Sequence, residues 1–311
     1  MTQTAAIIGA TGIQGGSVLR ALHKTGKYNI VAITRNASSI SAKTIKQKYP
    51  DVELAEANTD DVGSLKKAFK GADIVFGVTK FSDPEVLARI GAGDLDAEYK
   101  QGKNIIDAAI AAGVDKVIYS SLPSANKISG GKYPDVLLFD AKNKVEQYLW
   151  SKASKIRGAT VQMGFYMENF VNFSSISAED SKTVEFNFPV ASSTKFPLVD
   201  TANDAGGVVA YILSHFDEFV GKPFEVSGGY YSIQEMVEAF QQVTRKPARH
   251  VPKSLPFVES NIALLHMFNS NEEFGYFGGK VDFLEVNKNM DYKFTTPVEY
   301  WKNRAWAGPS Q

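Results

Sequence analysis

The 311-residue chain contains no cysteine. That excludes disulfides, thiol chemistry and thiolate metal sites, and it fits a reducing compartment. Histidine is nearly as scarce: His23, His215, His250 and His266 are far apart and show no ligand spacing, so no metal site is expected. No apolar run reaches membrane length. The first residues pass directly into an apolar segment without a basic leader, so no signal peptide is expected. The expected location is the cytoplasm, with the nucleus as the alternative for a regulator. Net charge is absent as well, with 34 Lys and Arg against 34 Asp and Glu. A balanced chain without an arginine stripe or zinc-finger spacing gives no reason to expect nucleic-acid binding. Locally the balance fails. No Asp or Glu precedes Asp51, whereas Arg20, Lys24, Lys27, Arg35, Lys43, Lys46 and Lys48 all do. Such a basic stretch is a solvated face, a positive field around a phosphate-rich ligand, or both.

Glycine, by contrast, is concentrated where it can act. Ala5 to Ile8 is a short apolar run that reads as a buried strand, and Val18, Leu19 and Leu22 recur at helical spacing. Between them stand Gly9, Gly12 and Gly15, three residues apart. Strand, glycine turn and helix make a dinucleotide-binding corner. Gly9 would allow the tight turn, Gly12 would let a pyrophosphate approach the backbone, and Gly15 would let the helix pack close to the strand. The helix start would offer free N–H groups and the positive dipole end to phosphates.

Asn29 to Thr34 reads as a second strand, ending at Arg35. In a Rossmann unit this end faces the adenosine ribose. An acid there selects NAD, and an arginine accommodates the 2′-phosphate of NADP. The chain has Arg35 and no acid beside it in sequence, so NADP is expected. Val52–Ala55, 71–79 and Lys116–Ser121 read as further strands, with Asp61 or Ser64 as the cap of a helix through Leu65 and Phe69. Glu98 to Ala112 reads as an amphipathic helix stopped by Gly113. Strands alternating with helices at this interval argue an α/β fold with a doubly wound parallel sheet. Residues 124–134 read as a loop, 136–153 as a helix and Ala159–Met163 as a sixth strand. Beyond it come short strands at 184–188, 195–199 and 222–226. A helix runs through Val208 to Leu213, and a second over 232–243 carries a capping signal, Ser232 with Glu235. The remainder is rich in aromatic residues and reads as irregular, mostly core, with some rings near a ligand crevice.

Several of these motifs together resemble the NmrA-like family of atypical short-chain dehydrogenases. They are Gly9 to Leu19, Thr34-Arg35-Asn36, Asp60-Asp61, Gly71 to Phe76, Gln101 to Asn104, Phe139 to Lys142, and Phe165 to Phe170. The resemblance implies a Rossmann domain, a smaller α+β C-terminal lobe and NADP(H) as cofactor. The expected organisation is an NADP-binding domain over 1–163 and a lobe for substrate or partner over 164–311, with about 195–226 returning to the Rossmann sheet. By resemblance, Gly9, Thr11, Gly12, Ile13 and Gln14 would line the pyrophosphate, Gly15 would complete the cofactor-binding turn, and Arg35 would take the 2′-phosphate. Asn58, where relatives often have Asp, would lie near the adenine. Thr79, Lys80 and Phe81 would pass the nicotinamide ribose.

Short-chain dehydrogenases use Tyr-x-x-x-Lys as acid/base and its support. Lys142 fits the lysine position, but Leu138 stands four residues earlier and cannot transfer a proton. Two readings follow. In one, the protein is an NADPH-dependent reductase of a small carbonyl, enone or imine compound. Lys142 then holds the ribose and supplies the proton directly or through water, with Tyr166 as second candidate and Ser120 or Ser121 orienting a carbonyl. In the other, it is a non-catalytic NADP(H) redox sensor that binds a regulatory protein partner such as a transcription factor.

Overall fold

The computed structural model describes residues 2–279, 281–290 and 292–309. Strand β1 (Gln3–Ile8) leads through the glycine turn into helix α1 (Ile13–Thr25), which ends at Gly26 in the left-handed conformation. The alternation then continues with β2 (Tyr28–Thr34), α2 (Ile40–Lys48), β3 (Glu53–Glu56), α3 (Val62–Ala68) and β4 (Ile74–Gly77). It proceeds through α4 (Pro84–Gly91), α5 (Ala97–Ala112), β5 (Lys116–Ser121), α6 (Ala125–Ile128), α7 (Leu137–Ser151) and β6 (Arg157–Met163). The strands form a seven-stranded sheet in the order Pro223–Val226, β6, β5, β4, β1, β2, β3. Every pairing from β6 to β3 is parallel. The order reverses between β1 and β4, the point where ligands bind in open α/β sheets. All four residues of β4 are buried, as expected of a parallel strand covered on both faces.

The chain divides into two compact units. The first holds Met1–Leu122, Leu138–Gln162 and Ala202–Phe224. One side of its core joins Ile105, Ile106 and Ala109 of α5 and Val145 and Leu149 of α7 to Val75, Val117 and Tyr119 of the sheet. On α1, helix Thr201–Ser214 lies so close that a Cβ at Gly206 would meet Ser17 O at 2.2 Å. The Gly206 N–H donates to Ser17 Oγ at 3.0 Å. The second unit holds Pro123–Leu137, Met163–Thr201 and Glu225–Gln311. It contains two three-stranded sheets. One orders Gly229–Ser232, Lys195–Val199 and Phe165–Tyr166; the other orders Ala248–Val251, Val184–Asn187 and Ser174–Ile176. Phe165, Phe170, Phe173, Phe188, Phe196 and Phe268 meet ring against ring in its core, with centroids as close as 4.6 Å for Phe165 and Phe196.

Two expectations need correction, and one helix was missed. Residues 124–134 are not all loop, since Ser124 Oγ accepts from Lys127 N and caps α6. Helix α4 was not anticipated, although Asp83-Pro84 is a helix-start signal, with Asp as N-cap and Pro at the first turn. The C-terminal region is helical rather than irregular, with helices Pro256–Glu259, Ile262–Phe274, Phe283–Met290 and Pro297–Arg304. Apolar residues scattered around Ile262–Phe274 hide its period. Thr296 and Glu299 nevertheless form a capping box, a signal as legible as Ser232 with Glu235, which also forms one. Among the described residues, no helix is long and apolar enough to cross a membrane.

Candidate functional site

The turn after β1 is built as its glycines require. Gly9 has φ +67°, the left-handed region that glycine enters without strain. Its carbonyl accepts from Gly12 N at 2.8 Å, closing the turn. A Cβ at Gly12 would sit 3.2 Å from Gly9 O, so a side chain there would press on the turn. A Cβ at Gly15 would lie 2.3 Å from Gly9 O and 2.7 Å from Ile8 O, so the first turn of α1 packs on the strand's end only because no side chain is there. Gly12 is the N-cap of α1 and supplies no side-chain acceptor, and the first turn carries no acid. The leading N–H groups are therefore left for an anion. Thr11 and Ile13 are exposed beside this turn, and Gln14 is buried.

On the other side of the switch point β4 runs into Thr79, Lys80 and Phe81. Thr79 is buried, Lys80 exposed and Phe81 half-buried. Lys80 O accepts from Asp83 N at 3.1 Å, which turns the chain into α4. The structure thereby brings together two residues far apart in sequence. Arg35 Nη1 donates to Asp83 Oδ2 at 2.8 Å. The absence of an acid near Arg35, read along the chain, does not hold in space. Next along, Ala37 N donates to Glu56 Oε1 at 2.7 Å. Asn58 spends its side-chain oxygen on Asp60 N at 3.0 Å and so shapes the loop after β3.

Lys142, on α7, reaches back to β4. Its Nζ donates to Thr79 O at 2.7 Å, to Thr79 Oγ1 at 2.9 Å and to Glu98 Oε1 at 2.7 Å. The three protons of the ammonium match these three acceptors. Glu98 stands in the first turn of α5, its side chain only 2% exposed. Thr79 Oγ1 lies within bonding distance of both Glu98 Oε1, at 2.8 Å, and Tyr119 Oη, at 2.9 Å. Burial pushes the Tyr119 phenol well up, and the negative charge of Glu98 pushes it further. Tyr119 is thus a neutral hydrogen-bonding member of the network. Neither Glu98 nor Tyr119 was singled out from sequence. The only prior hint was a carboxylate on the apolar helix 97–112, which must find a cation when buried. Leu138 stands half-buried one turn before Lys142. Ser121 donates to Leu122 O and to Lys142 O, both at 3.3 Å, which commits its hydroxyl to the backbone. Ser120 is buried.

Tyr166 belongs to the second unit. It is half-buried on strand Phe165–Tyr166 and pairs in register with Val199. In the same unit Tyr276 is buried, and its phenol is raised well above its ordinary value by burial, then by the charge of Tyr166.

A parallel sheet with its order reversed beside a glycine turn defines a Rossmann-like α/β fold. The chain belongs to the NmrA-like family, whose pattern it matches over residues 1–301. It is 29% identical over 292 residues to an NmrA-like family domain-containing oxidoreductase, cpsB, of Aspergillus campestris, covering 88% of this chain and 84% of that one. Among solved structures, it resembles the negative transcriptional regulator NmrA in complex with NADP (TM-score 0.79, 21% identity, 96% of this chain and 94% of that one). The same regulator in complex with NAD matches at TM-score 0.79 and 20% identity, with the same coverage. An Escherichia coli NADPH-dependent quinone oxidoreductase, QOR2, complexed with NADPH, matches at TM-score 0.73 and 22% identity over 98% of this chain and 100% of that one.

Proposed function

We propose that this protein binds NADP(H) at the Gly9–Gly15 turn and acts as a reductase of a small carbonyl, enone or imine compound. The observation that carries the cofactor reading is the bare turn itself. Gly12 brings no side chain to the start of α1, Gly15 lets α1 sit against the strand's end, and α1 opens on N–H groups that no side chain caps. A pyrophosphate fits that surface by charge and by shape. Thr11, Ile13 and Gln14 would flank it, Arg35 would receive the 2′-phosphate, and Asn58 would lie toward the adenine. Thr79, Lys80 and Phe81 would border the nicotinamide ribose. When bound, the reduced cofactor supplies a hydride to carbon, and the oxygen or nitrogen of the substrate must gain a proton. Lys142 would have to release one of its three bonds to Thr79 and Glu98 to hold the ribose or to supply that proton, directly or through water; Tyr166 is the second candidate for the proton. The oxidoreductase names carried by relatives support this reading, as do the bound nucleotides of structural neighbours.

One observation favours the sensor as a second reading. Leu138 offers no proton, and Lys142 spends its donors on Thr79 and Glu98, so α7 presents no idle acid. A sensor would bind oxidised and reduced cofactor with different affinity, or pass the difference to a protein partner.

The test is calorimetric and kinetic. NADP is expected to bind the native chain, and Gly12→Val is expected to abolish binding in a protein that still folds. Normal binding by Gly12→Val would place the cofactor elsewhere. Steady NADPH oxidation with any small molecule of a carbonyl, enone and imine panel supports the reductase. No turnover across the panel, with unequal NADP and NADPH affinities, would replace it by the sensor.

A further inference from the structure

Asp83 is the residue whose placement the cofactor reading does not account for. We infer that Asp83 sets the balance between NADP and NAD, by occupying the guanidinium that would receive the 2′-phosphate. The inference rests on the proposed cofactor site and on the geometry around one carboxylate.

The two oxygens of Asp83 have separate tasks. Oδ1 accepts from Glu85 N at 3.1 Å and caps α4. Oδ2 accepts from Arg35 Nη1 at 2.8 Å. The backbone is fixed as well: Asp83 N donates to Lys80 O, Asp83 O accepts from Leu87 N, and Pro84 follows at the first helical position. The side chain of Asp83 is 11% exposed, whereas that of Arg35 is 61% exposed. The carboxylate is therefore the anchored partner and the arginine the exposed one.

This arrangement changes what Arg35 can do. A 2′-phosphate arriving at the guanidinium meets an anion already in place. If Arg35 turns to the phosphate, a mostly buried carboxylate loses its cation and keeps a helix N–H. If Arg35 keeps Asp83 and uses its remaining N–H groups, phosphate and carboxylate face each other across one positive charge. Both courses cost affinity for NADP. NAD carries a hydroxyl at the same position, and a hydroxyl can donate to Oδ2 without displacing Arg35. One ion pair thus serves both nucleotides, the arginine as phosphate receptor and the aspartate as hydroxyl acceptor. The preference for NADP is smaller than Arg35 alone would give. Glu56, the other carboxylate near the end of β2, is committed to Ala37 N and serves as the control.

Asp83→Asn removes the charge and keeps a good helix cap; Asp83→Ser does the same with a smaller side chain. Binding of NADP and NAD is measured by calorimetry at fixed ionic strength in the native chain, both Asp83 variants and Glu56→Gln. The Asp83 variants are expected to raise the NADP-to-NAD affinity ratio roughly 3- to 10-fold, a range set by screened repulsion between neighbouring anions. Glu56→Gln is expected to leave the ratio within about twofold. A ratio unchanged in both folded Asp83 variants, or shifted toward NAD, overturns the inference while the cofactor site stands. A shift as large in Glu56→Gln overturns it too, by assigning the effect to general charge. Failure of the native chain to bind either nucleotide removes the cofactor site and this inference together.

Discussion

Lys142 is tied into the fold tightly enough that its substitution should be felt first as instability. Lys142→Met keeps the length of the stem and removes the ammonium. Glu98, 2% exposed at its side chain, would then lose its cation, and Thr79 would lose two donated hydrogen bonds. The second carboxylate oxygen, Glu98 Oε2, is buried without a hydrogen-bond partner, so among the described residues the neutral Thr79 hydroxyl at Oε1 would be left to share the charge. Removing one member of a buried ion pair costs about 3–5 kcal/mol. For a unit of this size that corresponds to a fall in melting temperature of roughly 6–20 °C. Glu98→Gln in the same chain removes the stranded charge and should restore at least about 2 kcal/mol, a coupling typical of groups in one network. The assay is denaturant unfolding of the native chain, both single variants and the double variant, followed by far-ultraviolet circular dichroism. A Lys142→Met cost below about 1 kcal/mol, the level of an exposed ion pair, would refute the reasoning, as would additive single costs. The cycle also guards the enzymology, because lost turnover in a Lys142 variant counts for catalysis only where the fold is intact.

Three further outcomes are expected. Gly15→Ala places a methyl 2.3 Å from Gly9 O, where the obstacle is backbone, and should cost about 1–3 kcal/mol or more in stability; an unchanged melting temperature would show that α1 can slide away. Arg35→Ala should weaken NADP by about 1.5–3 kcal/mol, the range for a hydrogen bond to a charged group, and leave NAD nearly unchanged; equal losses for both in calorimetry would contradict it. His250 accepts from Ser192 Oγ at 2.7 Å through Nδ1 and donates to Phe188 O at 3.0 Å through Nε2. Burial holds its pKa below the ordinary 6.5, against the opposing pull of the Phe188 carbonyl. The neutral ring therefore contributes stability that is complete above pH 6.5 and lost as pH falls through the lower folded value. Unfolding midpoints should decline below pH 6.5, and His250→Asn should flatten that slope; an identical slope in the variant would assign it to other groups.

The Rossmann half of the fold was legible because its signals are local. A glycine at φ +67°, a glycine with no room for a Cβ and a helix stopped by Gly113 each leave a mark at one sequence position. The same holds for Asp61, which caps α3 by accepting from Gly63 N. Asp83 and Glu98 left no such mark, since their roles depend on partners 48 and 44 residues away, and no period in the sequence reports a long-range ion pair. The second unit was harder for a different reason. Its aromatic residues are large enough to be buried from any element, so their spacing says little about whether the backbone is strand or helix. Asn261, whose side chain accepts from Leu264 N, and Thr296 with Glu299 were the readable cues, and they sit at helix starts rather than inside them.

The last pieces of the first unit come late in the chain. Helix Thr201–Ser214, seated on α1 through Gly206, and strand Pro223–Val226, the neighbour of β6, are made only after the ribosome has released the intervening stretch that goes to the other unit. Until then β6 is an open edge, a row of unpaired N–H and C=O groups flanked by apolar Ala159, Val161 and Met163, which is a template for pairing with another chain. A nascent chain that pauses before residue 226 exposes this edge, and a fragment cut at residue 163 keeps it permanently. Such a fragment holds Gly9, Gly12 and Gly15 of the turn, and Lys142 as well. It is nonetheless expected to aggregate rather than to bind nucleotide, because the strand that pairs with β6 is missing from it.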